Sequence, residues 1–288
     1  MTDNEGAGIS RDGSNLARRV LAAAVLIPAA LFLTWAGVLP FLALVLLLVA
    51  LMAHEWAAIV HDGDRSQFAL HAVAGAAGAF AGLVHGVAPA LWLAVLFAWG
   101  GSVWLTARSM KGFTIFHLTG IPYLALPAFA LVALRAGGSC GFPAVLLLFV
   151  TVWSADTLAY FAGRTFGGPK FAPRISPNKT WSGFFGAVAG GALAAALLAA
   201  FSGLAVLPLA LLGAVLGGWE QVGDLFESAA KRRFGVKDSG SIIPGHGGVL
   251  DRVDGLVAAA VLALVWGAWA SGTLHNAACG ILFWWDKT

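Results

Sequence analysis

An all-α, polytopic integral membrane protein is the fold class this chain predicts, and three observations carry it. Of its 288 residues, 59% are hydrophobic and 11% charged, where soluble domains carry about 25% charged residues. The apolar residues recur in runs of the length a bilayer-crossing helix needs, about 20 residues. Fifteen of the 17 Lys and Arg fall in alternate connections between those runs. A soluble core has no place for so much apolar surface, and in lipid only structures that satisfy their own backbone can span.

Nine spans follow, at roughly 20–37, 41–60, 69–88, 90–107, 114–134, 143–162, 183–201, 204–223 and 255–272. The first lies behind a tail of residues 1–19 and reads LARRVLAAAVLIPAALFLTWAG. Its basic flank and apolar run resemble a signal peptide, but the run continues past Pro40 without a small-x-small cleavage site, so it is read as retained. Only the turn around Pro40 separates the first two spans, and spans seven and eight meet near Ser202 and Gly203. The tail ILFWWDKT is apolar and tryptophan-rich, as interface segments are. The 37 glycines and the alanine runs suit helices that approach closely in lipid. Residues 20–288 thus form one transmembrane domain.

Basic residues set the orientation. Arg11, Arg18, Arg19, Arg65, Arg108, Lys111 and the cations of two hydrophilic loops, 163–182 and 224–254, lie on one side; only Arg135 and Lys287 lie on the other. The rule that cytoplasmic connections are enriched in Lys and Arg places the N-terminus and both loops in the cytosol. Cys140 and Cys279 then share the outer side, where one bridge is allowed; they offer neither a metal spacing nor a disulfide framework.

Chemistry must come from the two loops and the span ends beside them. Along GGWEQVGDLFESAAKRRF, the residues Glu220, Asp224, Glu227 and Lys231 stand at i, i+4, i+7 and i+11, one stripe of a helix. They suit either a cation site or an intrahelical Glu227–Lys231 pair with ordinary interfacial carboxylates. Next, VKDSGSIIPGHGGVLDRVDG implies a tight turn in which Gly247 and Gly248 let backbone N–H groups approach phosphate oxygens. Asp251 and Asp254 follow at the entrance to span nine; Asp254 also fits a helix N-cap. Asp224 and Asp251, reaching from different segments, are what a divalent cation on a nucleotide needs. His246 is either a proton carrier or a hydrogen-bond donor. In the other loop, AGRTFGGPKFAPRISPNKTWSGF, the cations suit an anchor for anionic lipid or a phosphate site. Ser176, Asn178 and Thr180 offer polar side chains and Lys179 a point charge, while Ser176 or Thr180 also fits the N-cap of span seven. Asp156 lies inside span six, as a functional acid or a buried partner for Lys or Arg. Interfacial placement accounts for His54 and Glu55 in span two.

Ser228 to Asp254 closely resembles the signature of the phosphatidate cytidylyltransferases, the CDP-diglyceride synthases. Ser228, Lys231-Arg232, Lys237-Asp238, Pro244, His246-Gly247-Gly248, Asp251-Arg252 and Asp254 stand at that family's spacings. Ala230 departs from the pattern, at a packing position where a larger aliphatic residue is usual. The stretches Ile175 to Gly186 and Asp156 to Gly163 are similar to the family as well.

The resemblance implies that CTP and phosphatidate give CDP-diacylglycerol and pyrophosphate, with Mg2+ and room for a second cation. On that basis Asp224 and Asp251, with Asp254 as helper, are expected to hold metal. Lys179, Lys231 and Arg232 are expected on substrate phosphates, and Lys237, Arg252 and Ser176 follow as weaker candidates. Gly247 and Gly248 are expected at the nucleotide. The nucleophile is already ionised, so no general base is required. The implied place is the bacterial cytoplasmic (inner) membrane, with the site at its cytosolic face. The expected partners are CTP, phosphatidate and membrane lipid, with a homodimer left open and no nucleic acid. A transporter would spread its charges near the midplane, a lipid-binding protein would need no ordered acids, and a CTP-dependent lipid kinase would release CDP.

Overall fold

The computed structural model of the chain describes residues 6–109, 112–243 and 247–286. Nine long helices follow the nine apolar runs: α1 (Gly6–Ala36), α2 (Val38–Val60), α3 (Arg65–Leu83), α4 (Pro89–Ser109), α5 (Ile115–Arg135), α6 (Gly141–Phe166), α7 (Trp181–Ser202), α8 (Val206–Arg233) and α9 (Leu250–Ser271). Seven of the described helical segments are long and apolar enough to cross a membrane, α6 being counted with the 3-10 turn before it. α3 is not among them, since Arg65, Gln67 and His71 dilute its apolar run; nor is α1, whose apolar stretch is the short Leu21–Ala36. The class is an all-α polytopic membrane protein.

Caps and turns set several boundaries. Asp64 starts α3 by accepting from the backbone N–H groups of Ser66 and Gln67 at 2.7 and 2.9 Å. Thr180 starts α7 by accepting from Gly183 N–H at 3.1 Å. Both side chains satisfy donors that a helix N-terminus otherwise leaves unpaired. Two features lie outside the nine-helix expectation. The first is an antiparallel hairpin in the 163–182 loop, β1 (Lys170–Ala172) with β2 (Ser176–Thr180). The second is a short helix, α10 (Ala277–Leu282), that buries Ile281 and Leu282 against α9. Part of the tail expected at the interface is therefore core.

Helices α6, α7 and α8 meet along a seam of small residues. A side chain at Gly191 would collide with the Gly213 backbone, and one at Gly190 would stand 2.5 Å from the Ser154 carbonyl oxygen. Lipid supplies no hydrophobic drive between helices, so close backbone approach of this kind is what holds them. Leu209, Leu212 and Leu216 of α8 and Leu147 and Leu148 of α6 fill the interior. Phe97, Phe201 and Trp269 point outward, as lipid-facing residues do.

Contacts sort the connections onto two ends. At one, Cys140 and Cys279 form a disulfide, and His85 meets His275. Arg135 is buried at this end and donates from Nε to the Thr34 carbonyl at 2.6 Å, in the last turn of α1. A cation on terminal carbonyls also suits the helix dipole. At the other end, the hairpin, the end of α8 and residues 234–249 come together. Here His61, just past α2, is buried beside His71 and His117, with ring centroids 5.2 Å away in each case. Burial, reinforced by those two rings, pushes the His61 imidazole down to about 3.

Candidate functional site

Two groups of polar residues occupy this second end. The first closes the loop between α8 and α9. Asp251, in the first turn of α9, takes Lys231 Nζ on Oδ1 at 2.5 Å. Its Oδ2 accepts from Ser239 N–H at 3.0 Å, Ser239 Oγ at 2.9 Å and Gly248 N–H at 3.0 Å. Lys231 is held on its other side by Glu227 at 2.5 Å. Glu55, 2% exposed, reaches across from α2 to accept from Val249 and Leu250 N–H, both at 2.8 Å, and lies 3.2 Å from Ser239 Oγ, whose one proton it shares with Asp251. One buried carboxylate thus caps α9 and grips the loop. The packing leaves no room at Gly248, where a side chain would stand 2.7 Å from Glu55 Oε1. Gly247 is needed for its backbone, with φ of +83°.

The second group gathers acids from three helices around one lysine. Lys179, near the end of β2, pairs with Asp224 Oδ2 at 2.6 Å and donates to Gln221 Oε1 at 2.7 Å. Gln221 donates in turn to Glu220 Oε1 at 2.5 Å. Glu220 is 0% exposed, and its carboxyl shares a hydrogen bond with Asp156 of α6. Asp156 also feels the charges of Asp224, Lys179 and Arg252. Asp254 of α9 faces Asp224, Asp156 and Lys179, and its Oδ1 accepts from Gly255 N–H at 2.9 Å. Four carboxylates this close repel unless cations sit among them.

These positions revise several of the expected roles. Asp251, expected to join Asp224 as a metal ligand, carries Lys231 on one oxygen and the Ser239 and Gly248 groups on the other, whereas Asp224 carries Lys179 and Ser228. Asp254 and Asp156 are the acids that face Asp224. Lys231, expected on a phosphate, is held by two carboxylates and is 9% exposed. Thr180 is buried and serves as the cap of α7, so it is not free for substrate. Gly248 serves close packing. The stripe Glu220, Asp224, Glu227 and Lys231 does lie on one continuous helix, but its members divide between the two groups. Glu55 is a fully buried cap rather than an interfacial acid.

Other candidates remain at the surface of the second group. Arg232 is exposed and bonds the carbonyls of Ile175 and Val236, both at 3.3 Å, tying the hairpin to α8. Asn178, Lys237 and Arg252 are exposed and Ser176 is partly so. Pro244, Gly245 and His246 lie outside the described residues. Sequence reasoning missed Gln221, Ser239 and the role of Glu55. The one available signal was an acid inside an apolar span.

The residues fit a divalent cation. The excess of acids favours one, and the donors are the oxygens that magnesium takes. Among the described residues, no three acids or histidines converge as a ready-made cage. Magnesium is ordinarily held by one or two carboxylates together with substrate phosphates.

Carboxylates able to hold a cation, set beside Lys179 and exposed arginines at the end of a helical bundle, are the parts of an integral-membrane enzyme acting on phosphates. Residues 17–268 match the Cytidylyltransferase family, and the chain belongs to it. It is a nucleotidyltransferase. The chain is 43% identical over 260 residues to a phosphatidate cytidylyltransferase of Brucella abortus biovar 1 (strain 9-941), covering 88% of this chain and 94% of that protein. Proteins of the same name from Pseudomonas aeruginosa and Rickettsia bellii are 46% and 42% identical over 129 and 121 residues. Those matches cover 43% and 39% of this chain and 48% and 52% of the respective proteins.

Proposed function

We propose that the protein transfers the cytidylyl group of CTP to phosphatidate. A phosphate oxygen of the lipid attacks the α-phosphorus of CTP, the α–β bridging P–O bond breaks, and pyrophosphate leaves. The observation that carries the reading is the group of four acids around Lys179, in a chain whose similarity to phosphatidate cytidylyltransferases extends over 88% of its length. Both substrates are polyanions, so bringing them together requires compensating charge, and phosphoryl transfer then rests on positioning and charge stabilisation.

Asp224 and Asp254, with Asp156 beside them, are the residues to hold Mg2+; Glu220 is the donor for a second cation. A bound Mg2+ would supply charge neutralisation on the triphosphate. Lys179, beside Asp224 and Gln221, would take a phosphate oxygen. Arg232 and Arg252, exposed on α8 and α9, would take further phosphate oxygens. Ser176 and Asn178 line the same approach from the hairpin. The loop closed by Asp251 and Glu55 keeps α8 and α9 in register, so that Asp224 and Asp254 face one another. With this end in the cytosol, CTP arrives from water and phosphatidate from the bilayer.

The deciding experiment incubates purified protein with labelled CTP, phosphatidate and Mg2+. Label in a CDP-lipid with stoichiometric pyrophosphate is expected. Release of CDP with a phosphorylated lipid would identify a lipid kinase instead, and no lipid product beside an active control would defeat the reading.

A further inference from the structure

The hydroxyl oxygen of Tyr123, on α5, is buried and has no hydrogen-bond partner among the described residues. Such a group is costly to bury unless its proton reaches an acceptor. The ring below it is firmly held. It packs between Trp56 of α2, at 5.3 Å between centroids, and Phe226 of α8, at 5.0 Å. Trp56 and Phe226 also stack on each other at 6.1 Å.

Two carboxylates flank this position. On α8, Glu227 follows Phe226 directly, and Lys231 already holds it. On α9, Leu250, Val253 and Val257 belong to the apolar cluster that also contains Trp56, Tyr123 and Phe226. Positions 250, 253, 254 and 257 share one face of a helix, so Asp254 stands on the face of α9 that meets this cluster. One turn before Phe226, Gly223 lets α8 touch the Asp254 carbonyl, where a side chain would collide. The phenol feels the charges of Asp254, Glu227, Asp224 and Asp251, and among these acids Asp254 acts on it most strongly. Lys231 offsets Glu227 directly, whereas Asp254 feels Asp224 and Asp156, with Lys179 shared among them. A donor therefore does most for Asp254.

We propose that Tyr123 is a positioning residue for the cation site, its O–H being the donor that orients the Asp254 carboxylate toward a bound Mg2+. The proposal rests on the function proposed above. Carboxylates that ligate metal are themselves held by hydrogen bonds, and losing such a bond costs about 10–100-fold in metal affinity or activity. Aromatic packing from α2 and α8 fixes the phenol beforehand, so little order has to be gained when the bond forms.

The test is Tyr123→Phe, which deletes the hydroxyl and keeps the ring. Mg2+ alone is titrated into the purified protein while the thermal midpoint is followed, and a second Mg2+ titration follows turnover of CTP and phosphatidate. The Mg2+ concentration giving half the effect is expected to rise roughly tenfold in both, with kcat at saturating Mg2+ nearly unchanged. Without Mg2+ the midpoint is expected to hold or rise, because an unpaired buried hydroxyl has been removed. An unchanged Mg2+ requirement overturns the proposal; if the metal-free midpoint also falls, the hydroxyl is a structural partner of Glu227 instead. Should Tyr123→Phe prove too unstable to purify, Phe226→Leu, which loosens the ring and keeps the hydroxyl, must show the same shift, smaller in size. If the unaltered protein makes no CDP-lipid and gains no thermal stability from Mg2+, the underlying function fails, and the proposal with it.

Discussion

Asp251 and Asp224 are both carboxylates at the polar end of the bundle, 27 positions apart on successive helices, and they are used in opposite ways. Asp251 accepts four bonds, from Lys231, Ser239 twice and Gly248. Asp224 has Lys179 on one oxygen and Ser228 Oγ at 3.1 Å on the other, and its side chain keeps 30% of its exposure. A carboxylate with every lone pair engaged holds a loop. One opposed by other acids and reachable from outside can take a cation or give up its lysine. Under the proposed function, the more fully bonded group would be architecture and the more open one would carry the chemistry.

Four measurements can break or sharpen that contrast. Asp251→Asn leaves Lys231 and the loop N–H groups without their partner, and breaking a buried pair costs about 3–5 kcal/mol. A large fall in thermal midpoint in detergent is expected. A stable, well-folded Asp251→Asn protein that is merely inactive would return Asp251 to the metal site. Asp224→Asn should act the other way, with turnover falling about 10²–10³-fold, as when one charge-stabilising group is removed, and the midpoint changing little. Midpoints that fall equally in both variants would erase the distinction. Glu55→Gln puts an N–H2 group against backbone donors, and leaving buried donors unpaired costs about 1–3 kcal/mol. Hydrogen exchange should quicken at Val249 and Leu250 before it quickens in α6 or α7.

The smallest effect concerns pH. His61 is held near 3 by burial among His71 and His117, with Asp64 opposing, whereas an unfolded histidine titrates near 6.5. Between those values the unfolded chain binds the proton that the folded one refuses, so stability rises with pH and falls on acidification. By pH 5 the loss from His61 is about 2 kcal/mol. His61→Phe should flatten the decline in thermal midpoint between pH 7 and 5; an unchanged slope would assign that decline to other groups.

Most of the fold was legible in the sequence because lipid leaves the backbone few choices. Each apolar run became a helix, and α8 ran on past the expected span to Arg233, as the Glu220–Lys231 stripe implied. The β1–β2 hairpin was not legible, since SPNKT carries no strand alternation and Pro177 argues against one. The site was legible as a neighbourhood but not in its assignments. Asp251 and Asp254 are three residues apart, and helical spacing puts both on a similar face. What separates them is the Ser239 and Gly248 backbone, which only the folded loop brings to Asp251. Arg135 was similar. It stood against the charge bias until the α1 carbonyls gave it a purpose.

Glu55 also bears on how the protein is made. Its partners Val249 and Leu250 lie 194 and 195 residues further along the chain. At about 5–20 residues per second, roughly 10–40 s of synthesis separate the acid from the helix that will occupy it. Throughout that interval α2 carries a carboxylate with no N–H groups to receive, and the start of α9, among the last elements to emerge, supplies them. Until residue 249 is made, the acid and the N–H groups that will hold it do not coexist, so this joint between α2 and α9 closes only at the end of synthesis.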